Sequence, residues 1–259
     1  MANEKNCILR SPCDKAGSEE CTTLCPHFIA LHGHSGEGGR VANASIPRDY
    51  KNLTLQSSPI RDSEPEAYRV FDGYVSTFKR QFEEDGERIK NLYLYSRETG
   101  NGKTTSAAIL ANEYIYRHYI GSIMRGRKPS QRPALFLDLI EFQMLYNEHN
   151  RKGIPEDIAA AASEKYYMLR KLAMEVPFLV MDEIGGRTYT EAFGIDVHTI
   201  INRRTTERKP TVYTSNVPIN ELASQFDRKL WDRVRDMTQP VSFKGTSKRG
   251  KRKEVNANE

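Results

Sequence analysis

The segment Ser96-Arg97-Glu98-Thr99-Gly100-Asn101-Gly102-Lys103-Thr104-Thr105 combines the residue types that hold a nucleoside triphosphate. Phosphate oxygens are packed too closely for side chains alone, so such a site needs bare backbone N–H groups, and glycine lets them approach. A helix opening near Lys103 adds the positive end of its dipole. In this Walker A pattern Gly100, Asn101, Gly102, Lys103, Thr104 and Thr105 bind ATP. Lys103 reaches the β- and γ-phosphates and the Thr104 hydroxyl holds Mg²⁺. The pattern G-x-x-x-x-G-K-[ST] is broken at its first glycine, which here is Arg97. That glycine mainly eases the turn, so phosphate binding is expected to survive.

The partners of this loop lie further along the chain. Residues 177–183, Pro-Phe-Leu-Val-Met-Asp-Glu, form an apolar run ending in two carboxylates, 79 residues beyond Lys103. In this Walker B arrangement Asp182 holds Mg²⁺ through its water shell and Glu183 polarises the attacking water as general base. A third polar group, Asn216, ends the segment Thr-Val-Tyr-Thr-Ser-Asn. At the C-terminal end of a parallel strand it would lie in the ligand crevice and hold that water, although asparagine at a strand end is also a good turn former.

A second constellation lies at the start of the chain. All four cysteines, Cys7, Cys13, Cys21 and Cys25, fall in the first 25 residues, spaced C-x5-C-x7-C-x3-C and followed by Pro26 and His27. Four soft ligands close in sequence can wrap a tetrahedral Zn²⁺, with His27 as a substitute for one of them. A short, core-poor segment would gain its folding free energy from that metal. Without it, residues 1–44 show no sustained period and are expected to be disordered. No apolar secretory core precedes the cysteines, so a reducing cytoplasm is expected, where disulfides are rare.

These residues need a frame, and the hydrophobic pattern supplies one. Short apolar runs at 91–95, 134–139, 178–181 and 211–214 read as strands, and helical periods at 103–119, 155–174 and 191–207 fill the gaps. Alternation of this kind gives an α/β layered fold with a parallel sheet flanked by helices. Prolines at 47, 59 and 65 make residues 46–65 an extended linker, and a helical stretch follows from 66. With 259 residues, 38% hydrophobic and 28% charged, the chain can bury a sizeable core, and no run is long enough to span a membrane. Of its net charge of +5, residues 244–259 carry all but one unit, six Lys/Arg against two Glu. The body is near neutral and the tail basic.

The Walker A segment, Val-Met-Asp-Glu-Ile-Gly, the helix carrying Ile-Asn-Arg-Arg-Thr-Thr-Glu-Arg-Lys-Pro and the later Leu-Trp-Asp-Arg-Val-Arg resemble the AAA+ ATPases of the DnaC/DnaI helicase-loader group, with the IstB transposition helpers as kin. The resemblance covers roughly residues 46–243, and the cysteine-rich start is similar to the zinc-binding part of DnaI-type loaders. It implies a zinc-binding partner module at 1–45, a linker at 46–65, an AAA+ domain with a short C-terminal lid at 66–243 and a basic tail at 244–259. It also implies an arginine that reaches a neighbouring subunit's nucleotide, Arg204 slightly ahead of Arg203. A lid arginine in cis would be Arg233, with Arg228 as alternative.

The implied function is an ATP-dependent loader that binds a replicative, DnaB-like hexameric helicase and single-stranded DNA, self-associating through nucleotide-bridged interfaces. Two other readings compete: an IstB-like helper, against which the cysteine-rich start counts, and a zinc-dependent adaptor that binds nucleotide without turning it over. Arg125–Lys128 with Arg132, residues 203–209 and the tail Lys248–Lys253 are basic enough to meet phosphates, as are Lys152, Lys165 and Arg170 in the long segment before the second acidic motif. No base-reading motif is present.

Overall fold

The computed structural model describes residues 3–84, 86–222 and 228–247, with side chains in the last span from 231 onward. Five parallel strands form one sheet in the order β2-β3-β4-β1-β5. They are β1 (Asn91–Tyr95), β2 (Ala134–Asp138), β3 (Phe178–Asp182), β4 (Thr211–Ser215) and β5 (Thr238–Ser242). The central strands are apolar on both faces because helices cover both, and every residue of β3 and β4 is buried.

On one face lie α3 (Pro65–Ser76) and α4 (Lys103–Met124); on the other are α5 (Leu139–Asn150), α6 (Glu156–Glu175), α7 (Glu191–Thr206) and α8 (Arg228–Asp236). Local chemistry sets the helix starts. Asp138 accepts hydrogen bonds from the N–H groups of Ile140 (2.8 Å) and Glu141 (3.2 Å) at the head of α5. Thr190 caps α7 through Phe193 N–H, and Pro65 opens α3.

Two parts of the fold depart from the sequence expectation. The fifth strand, Thr-Gln-Pro-Val-Ser, lacks a hydrophobic run, and only Thr238 and Val241 are buried in it. It is an edge strand paired to β1 alone, where proline is tolerated because one side of the ladder is free. The helix expected as a short lid, α8, packs on the body: Trp231 and Val234 are buried in the core on the α7 side, and the Trp231 Nε1–H donates to Ile219 C=O at 2.7 Å.

The N-terminal segment, expected to be disordered without a metal, shares an apolar core with the body. Short helices α1 (Pro26–His32) and α2 (Gly39–Asn43) pack with Ile8, Leu9, Leu31 and Val41 into the same apolar cluster as α3 and α4. Arg40 fastens this segment, donating to the C=O groups of Ala30 (2.7 Å), Ser130 (2.8 Å) and Pro129 (3.2 Å) with its guanidinium over the Tyr119 ring. The linker 46–65 is strapped along α4 by Asn112, which donates to Tyr50 C=O and Leu53 C=O, and by Glu113, which accepts from Leu55 N–H.

Candidate functional site

In a parallel sheet the ligand crevice opens at the C-terminal strand ends where the connections leave in opposite directions. Here β1 sends the chain across to the β2 edge, while β4 sends it to β5 on the other side. At this point a pocket of about 200 Å³ is lined by residues 99–105 together with Glu183, Thr214, Ser215 and Asn216, and by Tyr50 and Ile60 from the strap.

The loop residues behave as their types require. Gly100 has φ +75° and Gly102 φ +98°, conformations that side chains with a Cβ rarely adopt. Gly102 has a second reason to be glycine, since a Cβ there would stand 2.6 Å from Ile60 Cδ1. Arg97, in the place of the usual first glycine, points away to Glu221 at 3.8 Å and leaves the loop open. Lys103 is buried, and its Nζ donates to Glu98 C=O (2.9 Å) and to Asn101 Oδ1 (3.0 Å). Entering phosphates would take over those two bonds.

Asp182 lies at the floor of the crevice. Thr214 Oγ1 donates to its Oδ1 at 2.6 Å, and the Thr104 hydroxyl hydrogen-bonds it as well. Burial nevertheless pushes its carboxyl up to about 6. A buried carboxylate disfavoured by desolvation, beside a threonine hydroxyl, is the donor set that a hard divalent cation satisfies. Two further atoms are oriented without a partner: Asn216 Oδ1 and Asn101 Nδ2 are buried and hydrogen-bond nothing. The residues present therefore fit a magnesium–triphosphate group. Glu183 sits at φ +60°, rare for a residue with a side chain, with its N–H held by Thr214 Oγ1 at 2.9 Å. Thr214 thus fixes both carboxylate residues from the next strand. Its part in the site, like that of Tyr50 and Ile60, has no mark in the sequence beyond a polar residue at a strand end and a proline-rich strap.

One expectation is corrected by the geometry. Arg204 is buried, and its guanidinium donates to Ala173, Val176, Pro177 and Pro210 C=O and to Thr211 Oγ1 at 2.7–3.3 Å. It ties the end of α6 to the entry of β4 and has no donor left for a neighbour's nucleotide. Arg203, exposed, pairs with Glu207 at 2.9 Å. Both stand at the N-terminal end of β4, the opposite pole from the pocket. Arg233 is exposed on α8, makes no ion pair among the described residues and is not among the residues that line the pocket; the Arg228 side chain lies outside the described residues.

The zinc expectation finds no support among the described residues. Among the described residues no group of three or more His, Cys, Asp or Glu could hold a metal. His27 is engaged with the Tyr119 hydroxyl at 2.9 Å, and Cys7, Cys13, Cys21 and Cys25 are free thiols. Burial, with the three other thiols nearby, pushes Cys7 up to about 11. Apolar anchoring by Ile8, Leu9 and Leu31 does the work expected of the metal.

Of the basic candidates for nucleic acid, Lys165 is paired with Glu141 (2.7 Å) and Arg170 with Asp196 (3.0 Å), while Lys152 and residues 125–128 are exposed. Residues 248–253 lie outside the described residues. No helix among the described residues is long and apolar enough to cross a membrane.

No family model matches the chain. It is similar to the replicative helicase loader DnaI of Bacillus subtilis (24% identity; 87% of this chain, 67% of the relative). It is also similar to the replicative helicase loader DnaC of Escherichia coli K12 (23% identity; 77% of each). Among solved structures it is similar to DnaI (TM-score 0.53, 20% identity; 80% of this chain, 99% of that one). A further likeness is to AMPPCP-bound DnaA from Aquifex aeolicus (TM-score 0.51, 18% identity; 77% of this chain, 51% of that one). The likenesses to solved structures show the fold.

Proposed function

We propose that this chain, which belongs to the DnaC/DnaI helicase-loader group of AAA+ ATPases, binds and hydrolyses ATP to control its hold on a replicative helicase and on single-stranded DNA in the cytoplasm. The observation that carries this reading is the convergence of the 99–105 loop, the Thr104–Asp182–Thr214 hydroxyl–carboxylate chain, Glu183 and Asn216 on one crevice at the strand ends.

Loop N–H groups and Lys103 bind the phosphates, and Lys103 exchanges its bonds to Glu98 and Asn101 for phosphate oxygens. Thr104 and Asp182 would hold Mg²⁺, which when bound neutralises charge on the transferring phosphoryl group. Asn216 orients the attacking water with its unpartnered side chain, and the Glu183 carboxylate takes that water's proton. Tyr50 and Ile60 close the side of the pocket that the strap covers.

The arginine acting across an interface between copies is Arg233 in preference to Arg203, because Arg233 is exposed and makes no ion pair among the described residues. A guanidinium supplied by a neighbour would stabilise charge at the γ-phosphate, so hydrolysis loosens the assembly.

The test is phosphate release with and without single-stranded DNA, together with co-purification of a replicative helicase. DNA-stimulated release that disappears in Glu183→Gln, with helicase retained by the ATP-loaded Glu183→Gln chain, is the expected result. Release no higher than in Glu183→Gln would refute the catalytic part, and failure to retain the helicase would refute the partner.

A further inference from the structure

The pole of the sheet opposite the nucleotide pocket holds a second cavity, of about 380 Å³, where the chain enters β1 and β4. Its wall is basic: Arg80, Arg88, Arg208 and Lys209 all face it. Glu84 and Glu87 line it too. Glu87 is taken by Arg80 at 2.7 Å, Lys209 is held by Glu207 at 2.6 Å, and Glu84 is exposed at the rim. Arg88 and Arg208 make no ion pair among the described residues.

Arg88 is the unusual member. Among the described residues its Nε and Nη2, shut off from solvent, donate to nothing, while its Nη1 makes a 3.5 Å contact to Thr205 C=O and one to the Met237 sulfur. Tyr213, Arg208 and Tyr74 act on its charge, with Arg204 buried beyond; Arg80, Lys209, Glu84 and Glu87 share the cavity wall, and no carboxylate among the described residues pairs with it. A guanidinium cannot shed its proton at neutral pH, so a half-buried one without acceptors is costly until an anion supplies them. Its two unused N–H groups lie on adjacent nitrogens of a planar fork, the geometry that matches two oxygens of a phosphate.

Arg208 points the same way. It occupies the left-handed region at φ +57°, where glycine would be the relaxed choice, yet it carries an exposed arginine beside Arg88. Neither guanidinium has an ion-pair partner among the described residues, and one phosphoryl group would supply acceptors to both. We propose that this cavity binds a phosphoryl group, with Arg88 and Arg208 as its two guanidinium ligands. The group is either a free phosphate or phosphomonoester, or a phosphodiester of a nucleic acid strand.

The experiment uses the full chain carrying Lys103→Ala, which silences the nucleotide pocket, and follows thermal stability and calorimetric binding as inorganic phosphate is added against chloride at matched ionic strength. Saturable stabilisation by phosphate is expected, weakened about tenfold or more by Arg208→Gly and by Arg88→Gln, the size expected for losing one charge-assisted contact. Arg208→Gly keeps the test sound if Arg88→Gln folds poorly. It relieves the left-handed backbone, so its melting temperature without phosphate should equal or exceed that of the parent. An unphosphorylated oligothymidylate added as competitor separates the sources: displacement of phosphate identifies a phosphodiester, and no displacement a free phosphoryl group. Absence of saturation beyond chloride, or equal phosphate affinity in Arg208→Gly and the parent, would overturn the proposal.

Discussion

Replacing Arg204 by alanine tests whether this side chain is structural or reaches out to a partner. The guanidinium is almost fully buried and makes five hydrogen bonds, four to main-chain carbonyls and one to Thr211 Oγ1. Truncation strands those acceptors in a closed site, each at about 1–3 kcal/mol, and leaves a cavity. Against this, burying an unpaired guanidinium costs several kcal/mol that the variant no longer bears. The same burial holds Arg204 down to about 10, still protonated at pH 7. The balance is a loss of about 3–5 kcal/mol, comparable to breaking a buried ionic network. For a domain of this size that lowers the melting temperature by about 6–20 °C, readable by urea or thermal unfolding followed by circular dichroism. Arg203→Ala is the control. Its exposed pair with Glu207 is worth at most about 1 kcal/mol, so it should unfold with the parent. If Arg204→Ala were as stable as Arg203→Ala and lost only hydrolysis on mixing with an intact neighbour, the structural role would be refuted.

Other outcomes follow from buried groups. Asp182 is held at about 6 by burial, above its unfolded value, so the folded chain binds its proton more tightly and this group's contribution to stability falls as pH rises from about 4 through about 6. Asp182→Asn should raise the melting temperature of the nucleotide-free chain at pH 7 while abolishing magnesium-dependent ATP binding; a destabilised variant would contradict this. His32, pushed down to about 4 chiefly by burial, accepts Ile8 N–H and stays neutral in the folded chain. Its contribution is complete above about 6.5 and lost as pH falls from there to about 4, so His32→Gln should flatten the acid limb of a pH–stability curve. Deleting residues 1–45 removes Ile8, Leu9, Leu31 and Val41 from the shared core and should yield an insoluble or markedly destabilised body, seen as a lower urea midpoint.

The candidate nucleotide site was legible in the sequence as a set of residues because its parts are local. Glycines that permit positive φ, a lysine and threonine at a helix start and two carboxylates after an apolar strand require each other at fixed chain offsets, and Gly100–Thr105, Asp182 and Glu183 line or floor one crevice as their types demanded. The four central strands were legible for the same reason, being continuous apolar runs covered on both faces. The roles of Arg204, Thr214, β5 and the N-terminal segment were not. Arg204 and Arg203 are neighbours of identical type, and only packing of α7 against α6 and β4 buries one and exposes the other. An edge strand needs only half the apolar residues of a central one, so β5 left too weak a pattern to see. Cysteine spacing suggested a metal, whereas a handful of scattered apolar residues, unreadable as a period, found a shared core with α4. Sequence determined which groups can do chemistry; tertiary structure decided which donors are already spent, because that depends on neighbours distant along the chain.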